Sequence, residues 1–223
     1  MTLSGTPANA APGLIGFDWD TRLNPAQAKQ YAAKGYRFCI RYVSRDAASR
    51  AANEKNGTPD LSADEAAGIL GAGMALMAVQ HVEKPGWTPT QALGQTYGEN
   101  AASYASDAGL PGGINLWLDL EEVNAGTPKP DIFAYCNAWF HAVSTAGFIP
   151  GIYVGANSQL SSDDLYLDLA TRHYWRAPGK IPDVSHRGYQ LLQHTSGSGQ
   201  TEFDRDVTQT DALGGCVIWL APA

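Results

Sequence analysis

The sequence is short of what several large protein classes require. It has only three cysteines in 223 residues, with no Cys-x-x-Cys. Cys39, Cys136 and Cys216 sit in the contexts Phe-Cys-Ile, Tyr-Cys-Asn and Gly-Cys-Val. Buried thiols are therefore expected, not a disulfide framework or a zinc site. Basic residues are also few: 15 Lys and Arg stand against 22 Asp and Glu, the formal net charge is −7, and the cations are scattered. Phosphate backbones require a clustered basic surface, so no nucleic-acid partner is expected. No apolar run reaches the ~18 residues needed to span a bilayer, and no membrane insertion is expected. The histidines His81, His141, His173, His186 and His194 lack His-x-His or HExxH spacing. That argues against a zinc or amidohydrolase-type site, and neither a metal nor a cofactor is expected. Serine catalysis lacks its Gly-x-Ser-x-Gly. Gly197-Ser198-Gly199 has no following Lys-Ser/Thr and reads as a flexible turn, not a phosphate loop.

What the sequence does have is a repeat. Hydrophobic residues make up 44% and charged residues 17%, enough apolar side chain for one domain with a sizeable core. Gly35, Gly73, Gly109 and Gly147, at intervals of 38, 36 and 38 residues, each close a helix-patterned stretch and open a β-patterned one. Such αβ units predict a single TIM-type (β/α)8 barrel over 13–223, irregular in its last third, where the repeat weakens. Strands are expected over 14–18, 36–43, 74–82, 114–121, 148–154, 173–176 and 189–193, while 203–207 and 216–220 compete for the eighth. Asn24-Pro25 caps one helix and Ser62-Ala63-Asp64-Glu65 has the spacing of a capping box for another. Asp131 is expected to cap a third. The polar stretch 44–60 reads as a long loop, and 1–12 as a flexible N-terminal tail. That tail has neither the basic start nor the apolar run of a signal peptide, although Ala8-Asn9-Ala10 resembles a cleavage motif. The compartment stays open, with export or delivery to the cell wall among the possibilities.

Acids gather where the strands stop. Gly16-Phe17-Asp18-Trp19-Asp20, Leu118-Asp119-Leu120-Glu121-Glu122 and Phe203-Asp204-Arg205-Asp206 all fall at or beside predicted strand ends, the face on which αβ barrels build active sites. Side chains alternate along a strand, so Trp117, Asp119 and Glu121 share the inward direction and Leu116, Leu118 and Leu120 face the helices. Asp18, Asp119, Glu121 and Asp204 are expected to converge in one cleft. Two acids so close push their pKa values apart, and Glu121 is expected to titrate above Asp119.

In their order and spacing, Gly16-Phe17-Asp18, Asp119-Leu120-Glu121 and Asp204 resemble the lysozyme-like glycoside hydrolases of family 25 and, more closely, the glycoside-hydrolase-like domain of unknown function 1906. Arg41-Tyr42 and Leu61-Ser62-Ala63-Asp64-Glu65-Ala66 leading into Gly73 are also similar to the second group. The likeness runs from about Gly13 to Val207. It implies a metal-independent glycosidase acting on a cell-wall, peptidoglycan-like polysaccharide, with Glu121 as general acid and Asp119 as nucleophile or oxazolinium stabiliser. Asp18 and Asp204 would then bind sugar hydroxyls and tune the pair. The chain departs from the lysozyme-like pattern by carrying Glu122 and Asp20.

Substrate contacts are expected from Tyr153, Gln193 and whichever of Arg41 and Tyr42 points inward, with Gln80 and His194 as further strand-end candidates. Trp19, Trp87 and Trp175 are candidate platforms for apolar sugar faces. A carbohydrate-binding barrel that keeps the acidic cleft without turnover, and a hydrolase using a carboxylate-bound metal, are the competing readings, because a barrel does not fix a function.

Overall fold

Each expected switch from helix to strand occurs at its glycine: Gly35, Gly73, Gly109 and Gly147 all adopt φ between +85° and +98°, a left-handed conformation that ends a helix without the steric cost of a Cβ. The computed structural model describes residues 3–194 and 203–223, so the Gly197-Ser198-Gly199 turn lies outside the described residues. The strands are β1 (Gly5–Asn9), β2 (Ile15–Trp19), β3 (Phe38–Val43), β4 (Ala75–Gln80), β5 (Asn115–Leu120), β6 (Ile149–Val154), β7 (His173–Arg176), β8 (Leu191–His194), β9 (Asp204–Thr208) and β10 (Ile218–Pro222). The α-helices are α1 (Pro25–Ala33), α2 (Ala47–Asn56), α3 (Ala63–Gly71), α4 (Gln91–Asp107) and α5 (Lys129–Thr145), and a π-helical turn spans Asp164–Asp168.

Strands β2 to β9 close an eight-stranded α/β barrel of the TIM type. The irregularity expected in the last third takes a definite form. Strand β9 runs antiparallel to both of its neighbours, β8 and β2, whereas β2 to β8 pair in parallel. Both candidates for the eighth strand therefore exist. The first closes the barrel, and the second, β10, pairs with the lower end of β4 through Leu220 and Leu76. Asn115 ties that junction: its Oδ1 accepts from the Ile218 amide at 2.7 Å and its Nδ2 donates to the Ile149 carbonyl.

Three sequence expectations need correction. The segment read as a flexible tail contains β1, which pairs with β10 over five residues from Gly5↔Pro222 to Asn9↔Ile218; a short polar edge strand carries no apolar alternation to reveal it. The loop read over 44–60 holds helix α2, capped by Asp46 and stopped by Gly57. None of its residues is buried, so it has no apolar stripe to read. Asp131 lies in the first turn of α5, and Pro128 takes the cap position. The Asn24 capping box forms with Gln27, and Cys39, Cys136 and Cys216 are free thiols.

Glycines decide how closely the layers approach. A Cβ on Gly94 would lie 2.1 Å from the Tyr135 carbonyl oxygen, and one on Gly98 2.8 Å from that of Trp139, so α4 and α5 touch backbone to backbone. Inside the barrel, a Cβ on Gly151 would enter the Trp117 ring at 2.4 Å. Gly94→Ala is expected to destabilise the protein by about 1–3 kcal/mol through overpacking. Gly71→Ala, at the exposed end of α3 with open space around it, should instead be neutral or stabilising by up to about 1 kcal/mol. Urea unfolding midpoints of the two variants check both; equal midpoints would contradict the close packing of α4 on α5.

Candidate active site

The antiparallel course of β9 builds one side of the site. Register pairs Asp18 with Asp204 and Gly16 with Asp206, so the first residue of β9 lies at the mouth where β2 ends. Across the barrel, β5 delivers Asp119 on its inward face, and Glu121 follows one residue beyond the strand. Asp18, Asp119, Glu121 and Asp204 all line one cleft of about 350 Å³, together with Asp20, Tyr42 and His81. Its apolar wall comes from Trp19, Val82 and Phe203.

Local structure fixes Glu121 from three directions. The Trp87 indole Nε1 donates to the Glu121 carbonyl at 2.9 Å, the Gly86 amide donates to the Glu122 carbonyl, and Glu122 turns the chain with φ 51°. Behind the side chain, Gly155 makes room; a Cβ there would lie 2.4 Å from Glu121 Cβ. The turn-rich loop 84–89 thus clamps the strand end that carries the acid, and Trp87 packs on Tyr135 instead of opening to the cleft.

Beneath the acids lies a chain of neutral donors. Tyr153 Oη donates to Gln193 Oε1 at 2.8 Å, Gln193 Nε2 donates to Asp18 Oδ2 at 2.7 Å, and Tyr42 Oη donates to Asp18 Oδ1 at 3.0 Å. Of the expected substrate contacts, Tyr42 lines the cleft, while Tyr153 and Gln193 are buried beneath it and hold Asp18. Trp175 is not a sugar platform: it is buried between Tyr153 and Trp117 and donates its Nε1 to Asp206 Oδ1 at 2.9 Å. Nor does Arg41 enter the cleft. It sits on the outer face of β3, fully buried, with Nε donating to Glu65 Oε1 at 2.6 Å and further donations to the Trp19 and Pro59 carbonyls. The same contact dismantles the expected capping box. Ser62 accepts from the Glu65 amide, but the Glu65 carboxylate turns away to Arg41 and the Leu23 amide. Gln80 also faces outward, between Tyr97 and Trp139.

Two residues of the site went unassigned from sequence. Asp206 lies on the inward face of β9 two positions below Asp204, and His81 stacks on Tyr42 with ring centroids 4.5 Å apart. Strand alternation was the available signal for Asp206, one acid two residues from another, whereas the choice of Gln80 as a strand-end candidate turned the reading away from His81.

Burial raises Asp18, Asp119, Glu121 and Asp204, and repulsion from neighbouring carboxylates adds to it at the first three. Burial, offset in part by the donors from Gln193 and Tyr42, pushes Asp18 up to about 6. Asp204 is raised by burial, and Glu121 by burial and then by Glu122 and Asp204. Asp119 goes well above the usual carboxylate range through burial, then Glu121 and Asp18. The expected order of Asp119 and Glu121 is thus not the one burial favours. Asp119 is the deeper group and its Oδ1 has no hydrogen-bond partner among the described residues, whereas Glu121 stands at the rim. His81 is lowered to about 4 by burial and is neutral. Among the described residues, no three His, Cys, Asp or Glu side chains are grouped as metal ligands.

With this geometry in view, comparison with known proteins is informative. The model of the Rv2525c-like, glycoside hydrolase-like domain matches residues 29–212. The chain belongs to that family. Among solved structures, the Tat-secreted protein Rv2525c of Mycobacterium tuberculosis is similar at TM-score 0.63 and 17% identity, over 89% of this chain and 96% of that one. A family 25 glycosyl hydrolase from Bacillus anthracis is similar at TM-score 0.56 and 13% identity, over 90% and 92%. The lysozyme from Streptomyces coelicolor is similar at TM-score 0.55 and 14% identity, over 90% and 94%. At these identities the likenesses show the fold, a glycoside hydrolase-like barrel related to the lysozymes. Comparison with curated proteins returns no match.

The pKa directions carry a stability consequence. Asp119 binds its proton more tightly in the folded protein than in the unfolded chain, where it titrates near the ordinary value of about 4. Its contribution is therefore complete at low pH and is lost as pH rises through the raised folded value. Asp119→Asn removes that loss. The melting temperature of the variant should exceed that of wild type by more at about pH 8 than at about pH 4, and its unfolding free energy at neutral pH should be higher by about 0.5–2 kcal/mol, typical of a single stabilising change. A gap independent of pH would show that Asp119 titrates as a solvated acid.

Proposed function

We propose that the protein is a metal-independent glycoside hydrolase acting on a cell-wall polysaccharide of the peptidoglycan type, with Glu121 as general acid. The observation that carries this reading is the convergence of Glu121, Asp119, Asp18 and Asp204 in one cleft, with Glu121 raised and still accessible at the rim. Cleavage of a glycosidic bond needs a protonated carboxyl at the leaving oxygen and carboxyl oxygen near the developing oxocarbenium centre. Glu121 supplies the first. Asp119, whose Oδ1 is free of protein partners, supplies the second, either at the anomeric carbon or at a neighbouring N-acetyl group. Asp18 and Asp204 bind sugar hydroxyls, and the Tyr42 hydroxyl, already committed to Asp18, orders that edge of the cleft.

The shared fold of the lysozyme and the family 25 glycosyl hydrolase supports the substrate class. A second reading, a carbohydrate-binding barrel without turnover, draws on the position of Asp119. Burial favours its neutral form, and two neutral acids side by side bind hydroxyls well but leave no anion for the reaction centre. Delivery to the wall is part of the proposal.

Release of reducing ends from purified wall polymers separates the two. Glu121→Gln should lower turnover about 10²–10⁴-fold with the fold and sugar binding retained, because the amide keeps the shape and cannot give up the proton. Glu122→Gln should have little effect, since that side chain turns away to Asn157. Equal turnover by Glu121→Gln would falsify its role, and binding of wall polymers without cleavage by wild type would establish the non-catalytic reading.

A further inference from the structure

Asp206 is a buried acid of the barrel interior that the proposed reaction does not use. It has no solvent exposure and lies in the same interior layer as Gly16 on β2 and Gln193 on β8, its register partners on either side. Because Gly16 has no side chain, nothing from β2 stands between Asp206 and Asp18 above it. Oδ1 accepts from the Trp175 indole at 2.9 Å, but among the described residues no donor reaches Oδ2. A buried carboxylate oxygen left bare is costly, so the carboxyl needs a partner or a proton. The group that faces this carboxyl is Asp18, two residues along β2 from its register partner Gly16, and each carboxyl shifts the titration of the other. Two carboxyl groups share a hydrogen bond only when one of them carries a proton.

The donor inventory decides which one. Asp18 accepts from two neutral donors, Tyr42 on β3 and Gln193 on β8, whereas Asp206 has Trp175 alone. Charge settles on the carboxyl with more donors. Among the described residues, the charged or titratable groups around the pair are Asp204 on β9, Asp119 on β5, Tyr153 on β6, and Tyr42 and Cys39 on β3; none of these is a cation that could hold a second anion. We propose that Asp206 is a permanently protonated carboxylic acid whose O–H donates upward to Asp18, a positioning residue that makes Asp18 the fixed anion of the cleft. Burial and the facing Asp18 both raise Asp206 well above the usual carboxylate range, in keeping with this geometry. What Asp18 is fixed for rests on the glycosidase reading; the protonation of Asp206 does not.

Two substitutions test it in the intact protein. Asp206→Asn keeps a neutral donor of the same shape, and Asp206→Leu keeps volume without one. The Asp18 titration, followed by carboxyl-resolved NMR, should be unchanged in Asp206→Asn, while Asp206→Leu should raise the proton affinity of Asp18 about ten-fold or more, the equivalent of one hydrogen bond to a charged group. The infrared difference spectrum of wild type minus Asp206→Asn at neutral pH should show the carbonyl band of a protonated carboxylic acid. Absence of that band, or an Asp18 titration that falls in Asp206→Asn as though an anion had been removed, would overturn the proposal. The infrared and Asp206→Asn measurements stand if Asp206→Leu fails to fold. None of these readouts requires turnover, so they separate this inference from the fate of the glycosidase reading.

Discussion

The structure turns on keeping an anion inside a barrel. Asp18 is almost completely buried, and the barrel answers with a tie that crosses it: Tyr153 on β6 to Gln193 on β8 to Asp18 on β2, with Tyr42 on β3 closing from the other side. Four strands are thereby held in register by neutral donors and not by a salt bridge. The choice matters chemically, because a cation here would quench the charge that the cleft offers to a ligand, whereas hydroxyl and amide donors stabilise it without cancelling it.

A buried ion pair near the mouth lies on the other side of the sheet. Arg41 and Glu65 join β3 to α3, and the Arg41 guanidinium also meets the Trp19 and Pro59 carbonyls. A guanidinium with five donors spans that seam as no apolar residue could. It fixes the end of β2, where Asp18 and Trp19 stand, from the outside. The cleft therefore has two kinds of support: charge outside the barrel wall, where it orients strands, and neutral hydrogen bonds inside, where they leave the acids available.

Repulsion among those acids is a cost that the fold carries. Asp119, Glu121, Asp18, Asp204 and Asp206 all lie above their ordinary titration range, so the folded protein holds protons that the unfolded chain would release. Groups with this behaviour concentrate at functional sites. Gly155, against Glu121, and Gly16, below Asp18, show how the interior was cleared to hold them; in both places a methyl group would collide with a neighbouring side chain.

Sequence by itself determined the repeat and hence the barrel, because helix-ending glycines and alternating strands are local properties that each segment carries alone. It also determined the inward set Asp119 and Glu121, since the period of two along a strand needs no partner. It read the third side of the cleft, Asp204, at the right mouth although β9 runs opposite to the strands around it. Only the tertiary structure decided that direction, along with the placing of β10 beside β4 and the strand formed by Gly5–Asn9, because a strand's direction and partners depend on residues remote in sequence. Depth was likewise invisible. Alternation says that Tyr42 and Arg41 face opposite ways but not which way is in, and it puts Trp175 on the inward face without saying that Tyr153 covers it. The order of the acids followed from depth in the same manner, since desolvation is set by everything packed around a carboxyl and the chain records only its neighbours.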